Sequence, residues 1–126
     1  MNNMPIHIEK YIAYYRLQDF AKAAHMFERS LEVGYSVPAS VQFYLNVGYM
    51  YGEIKEFRKA LDYYKKAREI DPTNLSVLES LAYVAKELGD RETAKDAALK
   101  MKEIDPSASA KVEAFLEELE GDQATP

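Results

Sequence analysis

Apolar side chains recur along this chain at intervals of three and four positions, which is the spacing of one face of an α-helix. In the middle of the chain the spacing predicts helices over about 39–52 and about 57–70. The link between them is so short that the two helices must be antiparallel neighbours. The same spacing predicts five more helices, at about 5–17, 20–33, 74–88, 91–103 and 108–120. We therefore predict an all-α fold of about seven helices with no strand.

The helix pairs repeat along the chain. Two Asp-Pro pairs, ending at Pro72 and Pro106, stand 34 residues apart, and the seven residues up to each Pro match at five positions. Phe20, Ala23 and Phe27 lie 37 residues before Phe57, Ala60 and Tyr64. We place the extra residues of that first interval in the loop at 34–38, where Gly34 is expected to cap the preceding helix. The predicted units are repeats at about 4–37, 41–74 and 75–108, a capping helix at about 108–120, and a flexible tail at 121–126.

The last predicted helix has the pattern of a terminal cap. Its apolar face carries Val112, Phe115, Leu116 and Leu119. Its other face is acidic, with Glu113, Glu117 and Glu120. A helix that is apolar inward and polar outward closes the end of a repeat stack and keeps it soluble.

A 34-residue unit of two helices with these residues resembles the tetratricopeptide repeat, whose signature is W-x₂-L-G-x₂-Y, then A-x₃-F, then P. The middle unit follows the signature with Tyr44, Val47, Gly48, Tyr51, Ala60, Tyr64, Ala67 and Pro72. The third unit keeps the register with Leu78, Leu81, Ala82, Ala85, Ala94, Ala98 and Pro106. Its alanines replace aromatic residues, so this unit is expected to fill less volume. The first unit departs from the signature, with Lys10 and Tyr11 in place of Leu and Gly.

The small residues of the signature have a packing role in this reading. Gly48 and Ala60 are expected to lie against each other, because only small side chains let the paired helices approach closely.

The resemblance implies a right-handed superhelical solenoid whose first helices line a concave groove. It also implies a non-catalytic module that binds a peptide or helix of another protein, as an adaptor or a chaperone-like protein. The groove positions carried over are Ile8, Ile12, Tyr15, Arg16, Gln42, Leu45, Asn46, Tyr49, Glu53, Ser76, Glu79, Ser80, Tyr83 and Lys86. Tyr49 and Tyr83 are hot-spot residue types in such a groove, with Gln42 and Asn46 as hydrogen-bonding groups. The alternative is that these tyrosines complete the packing between helices.

One subfamily uses two Lys, one Arg and two Asn to clamp the C-terminal carboxylates of cytosolic heat-shock chaperones. Only Asn46 fits that set here. The other four places hold Ile8, Ile12, Ser76 and Ser80. A carboxylate clamp of that kind is therefore not expected. The apolar groove is similar in composition to the groove of the small secretion and assembly chaperones of bacteria.

Composition narrows the function further. The formal charge is −5, from 16 basic and 21 acidic residues, and this balance argues against a nucleic-acid binder. One basic cluster, 58–68, would suit an RNA or acidic-partner surface, or the solvated face of a helix. The chain has no Cys and two His, and no phosphate-binding or nucleophile motif. We expect no enzyme activity, no cofactor and no metal site, with His25 and Glu28 forming at most a surface pair.

The sequence leaves the compartment and the assembly state open. No apolar run reaches about 18 residues, so no membrane insertion is expected. The absence of Cys and of an apolar leader suits the bacterial cytoplasm. A periplasmic protein whose leader had been removed would have the same features, and so would a piece of a larger protein. The alternative function is an assembly subunit that docks or self-associates through its edge or convex face. The N-terminal edge favours it by exposing Met4, Ile6 and Ile8, and a homo-oligomer would then form.

Overall fold

The computed structural model describes residues 5–124, and side chains through residue 121. This part of the chain contains seven α-helices and no strand, which confirms the predicted fold class. The helices are α1 Ile6–Arg16, α2 Phe20–Glu32, α3 Val41–Glu53, α4 Phe57–Ile70, α5 Leu75–Glu87, α6 Arg91–Ile104 and α7 Ser109–Ala124. A single 3₁₀ turn, Pro106–Ala108, leads into α7. None of the described helices is both long and apolar enough to cross a bilayer.

Short polar side chains fix where four of the helices begin. The side chains of Asp19, Ser40, Asn74 and Asp90 each accept a hydrogen bond from the backbone N–H three residues later, at 3.1–3.3 Å. Such caps satisfy one of the free N–H groups in the first turn of a helix. At the other end of the chain, α7 runs through Gly121 to Ala124, so four residues of the predicted tail are helical. A single Gly lowers helix stability by only about 1 kcal/mol, which is too little to end the helix there.

The turn inside each helix pair has the same left-handed residue. Gln18, Lys55 and Gly89 occupy equivalent places in the three units, with φ of 61°, 63° and 77°. In each turn the N–H of the next residue reaches back to the carbonyl five residues earlier, at 2.9–3.0 Å. This geometry closes the end of a helix and favours Gly, because a Cβ crowds the backbone at positive φ. Gly34, with φ of 90°, ends α2 in the same way, as predicted.

The helices stack in chain order. The closest pairs are α1 with α2, α3 with α4, and α5 with α6, and these pairs then pack α2 on α3, α4 on α5 and α6 on α7. The stack therefore has two ends. The N-terminal end is the outer face of α1, and the C-terminal end is α7.

The core is aromatic between the first two units and rich in alanine in the third. Phe27 is completely buried, and its ring centroid lies 5.4–6.4 Å from four other rings, those of Tyr11, Phe43, Tyr51 and Tyr63. Tyr11 thus fills the place where the signature has Gly, and packs ring against ring with Phe27. The buried residues of the third unit include five alanines, namely Ala82, Ala85, Ala94, Ala97 and Ala98.

Gly48 is confined by Tyr64. A Cβ built at Gly48 would lie 2.4 Å from Cε1 of the Tyr64 ring, and the next nearest atoms also belong to that ring. The expected partner of Gly48 was Ala60, but the tightest constraint comes from this aromatic ring. The reason is that a Tyr follows Ala60 by one helical turn and occupies the space above Gly48.

We expect Gly48→Ala to lower the free energy of unfolding by about 1–3 kcal/mol, because the buried Tyr64 ring must leave its packed position to admit the added Cβ. Gly52→Ala in the same helix is the matched control, since nothing lies within 4 Å of its Cβ position. That change should stabilise the helix by about 0.5–1 kcal/mol. Urea denaturation of the two variants tests the difference, and equal midpoints would contradict the assigned packing.

The terminal helix α7 covers α6 as predicted for a cap. Val112 and Leu119 are buried, and Phe115 and Leu116 are partly buried against the same core. Its acidic side carries Glu113, whose carboxylate lies 3.2 Å from Nζ of Lys102 in α6. Two further ion pairs join α7 to α5, namely Glu118 with Lys86 and Lys111 with Glu79. The cap is thus held by apolar burial and by charges that bridge to both helices of the third unit.

Candidate functional site

A cavity of about 590 Å³ opens between α3, α5 and α7, on the side of the stack formed by the first helices of the units. Its floor comes from α4 and α6. Its lining residues are Tyr49, Gly52, Glu53, Lys55, Phe57, Tyr64, Glu79, Ser80, Ala82, Tyr83, Val84, Ala98, Met101, Lys111, Val112 and Phe115.

Two tyrosines form the exposed aromatic part of this cavity. Tyr49 and Tyr83 stand 34 residues apart and are 47% and 55% exposed. Each ring packs edge-on against the first residue of a second helix: Tyr49 lies 5.5 Å from Phe20 and Tyr83 lies 6.4 Å from Phe57, between ring centroids. These contacts hold one edge of each ring in place and leave the remainder open to solvent.

The space in the cavity arises from small residues in the third unit. The pair Tyr11 and Phe27 fills the first unit, and Tyr64 fills the space above Gly48 in the second. The corresponding residues of the third unit are Ala82 and Ala98, which line the cavity. The side chains of the third unit fill less volume, as predicted, and the space that they leave is a concave cavity rather than a closer approach of the two helices.

The charged groups of the cavity are mostly engaged within the protein. Glu79 forms an ion pair with Lys111 of α7. A hydrogen bond from Tyr49 to the Glu53 carboxylate, together with the charge of that carboxylate, raises the pKa of the Tyr49 phenol. Lys55 lies at the α3–α4 turn, and its ammonium group has no ion pair or hydrogen bond among the described side chains. The lining formally sums to zero, since two carboxylates face two ammonium groups.

The floor is held by a buried phenol. Burial raises the pKa of Tyr64 to about 12, although a hydrogen bond with Ser80 acts in the opposite direction. Tyr64 is thus a neutral hydroxyl throughout the physiological range. It fixes the floor by packing and by this hydrogen bond to α5.

The cavity brings together five of the predicted groove residues, and these are Tyr49, Glu53, Glu79, Ser80 and Tyr83. The other predicted positions lie outside its lining, and these are Ile8, Ile12, Tyr15, Arg16, Gln42, Leu45, Asn46, Ser76 and Lys86.

Ile8 was wrongly placed on the groove. It is 1% exposed, because it packs into the core of the first unit. Tyr15 packs edge-on against Phe20 at 5.4 Å and is half-buried. Gln42 donates a hydrogen bond to Oδ1 of Asn46 at 2.9 Å, so these two amides bind each other outside the cavity.

Lys86 is drawn away from the groove by the cap. Its Nζ lies 2.5 Å from the Glu118 carboxylate and 5.9 Å from the centroid of the Phe115 ring. It therefore braces α7 rather than the rim of the cavity.

Sequence reasoning missed the part of the cavity that α7 and the α3–α4 turn provide. Lys111, Val112 and Phe115 come from the helix interpreted only as a cap. A signal was present, since Val112 and Phe115 stand 34 residues after Leu78 and Leu81, so α7 continues the register of a first helix. A helix in that register also faces the concave side.

The other candidates for chemistry are held within the structure. In the basic cluster, Lys59 is 2.9 Å from the Glu28 carboxylate, and Lys66 lies over the Tyr63 ring at 5.4 Å. Glu28 also accepts a hydrogen bond from Tyr51 at 2.9 Å. Partial burial opposes ionisation of Glu28, but the bonds from Lys59 and Tyr51 outweigh it and lower its pKa. Among the side chains of residues 5–121, no three His, Asp or Glu converge as metal ligands.

Comparison with known proteins relates this arrangement to one repeat family. Residues 41–74, the middle unit, match the tetratricopeptide repeat family. No curated protein matches the chain. Among solved structures, the fold is similar to the TPR domain of Arabidopsis OM64, with 19% identity and a TM-score of 0.66, over 90% of this chain and 91% of that one.

Two further similar structures contain a bound partner. The first TPR of Spaghetti (RPAP3), described as bound to the HSP90 peptide SRMEEVD, has 16% identity and a TM-score of 0.70, over 95% of this chain and 92% of that one. The TPR2B domain of yeast Sti1, described as a pHsp70 complex, has 15% identity and a TM-score of 0.65, over 94% and 99%. The middle unit is thus a tetratricopeptide repeat, and the fold is that of a domain with three such repeats and a capping helix.

Proposed function

We propose that this tetratricopeptide-repeat domain is a non-catalytic interaction module that binds an apolar segment of another protein in the cavity between α3, α5 and α7. One observation carries the proposal. Tyr49 and Tyr83 are half-exposed, stand at the same place in adjacent repeats, and line one concave space. Aromatic side chains that are held in place and left partly open are the residue types that dominate binding energy at interfaces.

The layout around the tyrosines supports the proposal. The floor is apolar, with Ala98 and Met101 among its residues, and the charged groups lie around it. Apolar walls with a few polar groups are typical of sites that enclose a ligand. The similar domain of RPAP3, described as bound to an HSP90 peptide, and that of Sti1, described as a pHsp70 complex, add a precedent for the fold. The positions of the chaperone-type clamp hold Ile8, Ile12, Ser76 and Ser80 here, so the bound segment is not held by that clamp.

If the cavity binds the partner, Tyr49→Ala and Tyr83→Ala should each weaken binding by about 2 kcal/mol or more. The partner is recovered by pull-down with mass spectrometry, and its affinity is measured by titration calorimetry with each variant. Melting temperatures should change little, because neither ring lies between paired helices. Tyr14→Ala is the matched control, since Tyr14 is partly buried outside the cavity. A sharp fall in melting temperature with unchanged affinity per folded molecule would assign both tyrosines to packing.

A second candidate function rests on the N-terminal end of the stack. Ile6 and Leu17 are 61% and 75% exposed on α1, although Ile8 is buried and Met4 lies outside the described residues. We propose as the alternative that this face docks into an assembly or onto a second copy of the chain. Sedimentation equilibrium at several concentrations separates the two functions, because a mass that stays monomeric at all of them removes self-association.

A further inference from the structure

We propose that Lys55 anchors a carboxylate of the bound segment, so that the cavity selects segments in which Asp or Glu lies near a large apolar side chain. This inference rests on the proposed function. It adds the polar half of the recognition to the apolar half supplied by Tyr49 and Tyr83.

The backbone at Lys55 provides the first argument. Lys55 has φ of 63°, a left-handed conformation that a residue with a Cβ rarely adopts. The equivalent turn of the third unit uses Gly89, which has no such strain. Gln18 has the same conformation outside the cavity, so the strain belongs to the turn, and what distinguishes Lys55 is its place in the cavity lining. The second unit therefore keeps a lysine where glycine would fit the turn better.

The charges around the cavity provide the second argument. Of the four charged residues in its lining, Glu53 accepts a hydrogen bond from Tyr49, and Glu79 is paired with Lys111. Among the described side chains, Lys55 is the lining cation that forms no ion pair, since the other one, Lys111, is paired with Glu79. Its ammonium group has three hydrogens to donate and no acceptor, so it is suited to an anion.

The overall charge of the chain provides the third argument. The chain carries −5, so an acidic segment gains no long-range attraction from the protein as a whole. Attraction must come from a local contact with an unpaired cation. A carboxylate that reaches Lys55 while its neighbouring apolar side chain lies against the two tyrosines satisfies both halves of the cavity at once.

The test uses two defined peptide series with the full chain. Each peptide is blocked at both ends and carries one Phe or Leu in a Gly-Ser background. In the first series an Asp stands one to four residues from that apolar residue, and in the second an Asn replaces the Asp. Binding is measured by fluorescence polarisation for the natural chain, Lys55→Gly, Lys55→Asn, Gln18→Gly and Tyr49→Ala. Gln18→Gly is the matched control, because it relieves the same left-handed turn in the first unit, outside the cavity.

The natural chain should bind the best Asp peptide about tenfold more tightly than its Asn counterpart, the usual size of a hydrogen bond to a charged group. Lys55→Gly and Lys55→Asn should abolish that preference, and Gln18→Gly should keep it. Lys55→Gly and Gln18→Gly should both raise the melting temperature. Lys55→Gly should therefore gain stability while it loses the preference for the Asp peptide.

Three results overturn the inference. Equal binding of the Asp and Asn peptides would remove the anchor. A preference that survives Lys55→Gly would assign it to another group. In both cases, weaker binding by Tyr49→Ala would leave the proposed function intact. No binding of either series at millimolar concentration would overturn the inference and the proposed function together.

Discussion

Replacing Phe27 with Ala is expected to lower the free energy of unfolding by about 3–5 kcal/mol. Phe27 is completely buried, and its ring is surrounded by those of Tyr11, Phe43, Tyr51 and Tyr63. Removal of the ring leaves a cavity and ends four aromatic contacts. Three of these contacts join the first unit to the second, so the variant loosens the stack as well as one helix.

The measurement is urea denaturation followed by circular dichroism. A domain of this size has a total stability of about 5–15 kcal/mol, so Phe27→Ala should remove a large fraction of it. Leu17→Ala is the control, because Leu17 is exposed at the end of the α1–α2 pair and its loss should change little. A Phe27→Ala midpoint close to that of Leu17→Ala would show that the aromatic cluster adds little to the stability.

Removing α7 by ending the chain after Pro106 is expected to produce aggregation or dimers. The helix buries Val112 and Leu119 and partly buries Phe115 and Leu116, so its loss removes stability on the order of 5 kcal/mol. It also exposes the apolar face of α6 and removes the acidic face that keeps the end of the stack soluble. The same truncation deletes Lys111 and Phe115 from the cavity lining.

Light scattering and thermal denaturation of the 1–106 chain test this expectation. A chain ending at residue 120 is the matched control, because it keeps all four apolar residues of α7. That control should remain monodisperse with a nearly unchanged melting temperature. A 1–106 chain that is monomeric and as stable as the full chain would remove the capping role of α7.

The helices were predictable because their signals are local. Apolar spacing identified all seven. Gly34 was predictable as an αL cap for the same reason. The end of α7 was missed, since one Gly in a good helical sequence does not decide where a helix stops.

The candidate site was only partly predictable, because its shape depends on which side chains fill the space between helices. Repeat register predicted Tyr49 and Tyr83, which line the cavity, but it also assigned the buried Ile8 to the groove. The register of the first unit differs, since Tyr11 packs into the core there and the adjoining face of α1 turns inward. Lys55 was missed because a turn residue carries no helical periodicity, and Lys111 because α7 was treated as a cap alone.

The order in which the helices stack bears on how the chain folds. The substantial contacts join helices that are consecutive in sequence, so few long loops must close before contacts form. Folding of such a stack can begin at one helix pair and spread to its neighbours. The aromatic cluster around Phe27 offers the largest early gain in burial, and it involves only α1 to α4. The first two units can thus form as soon as α4 is available, and the third unit with its cavity adds to a surface that already exists.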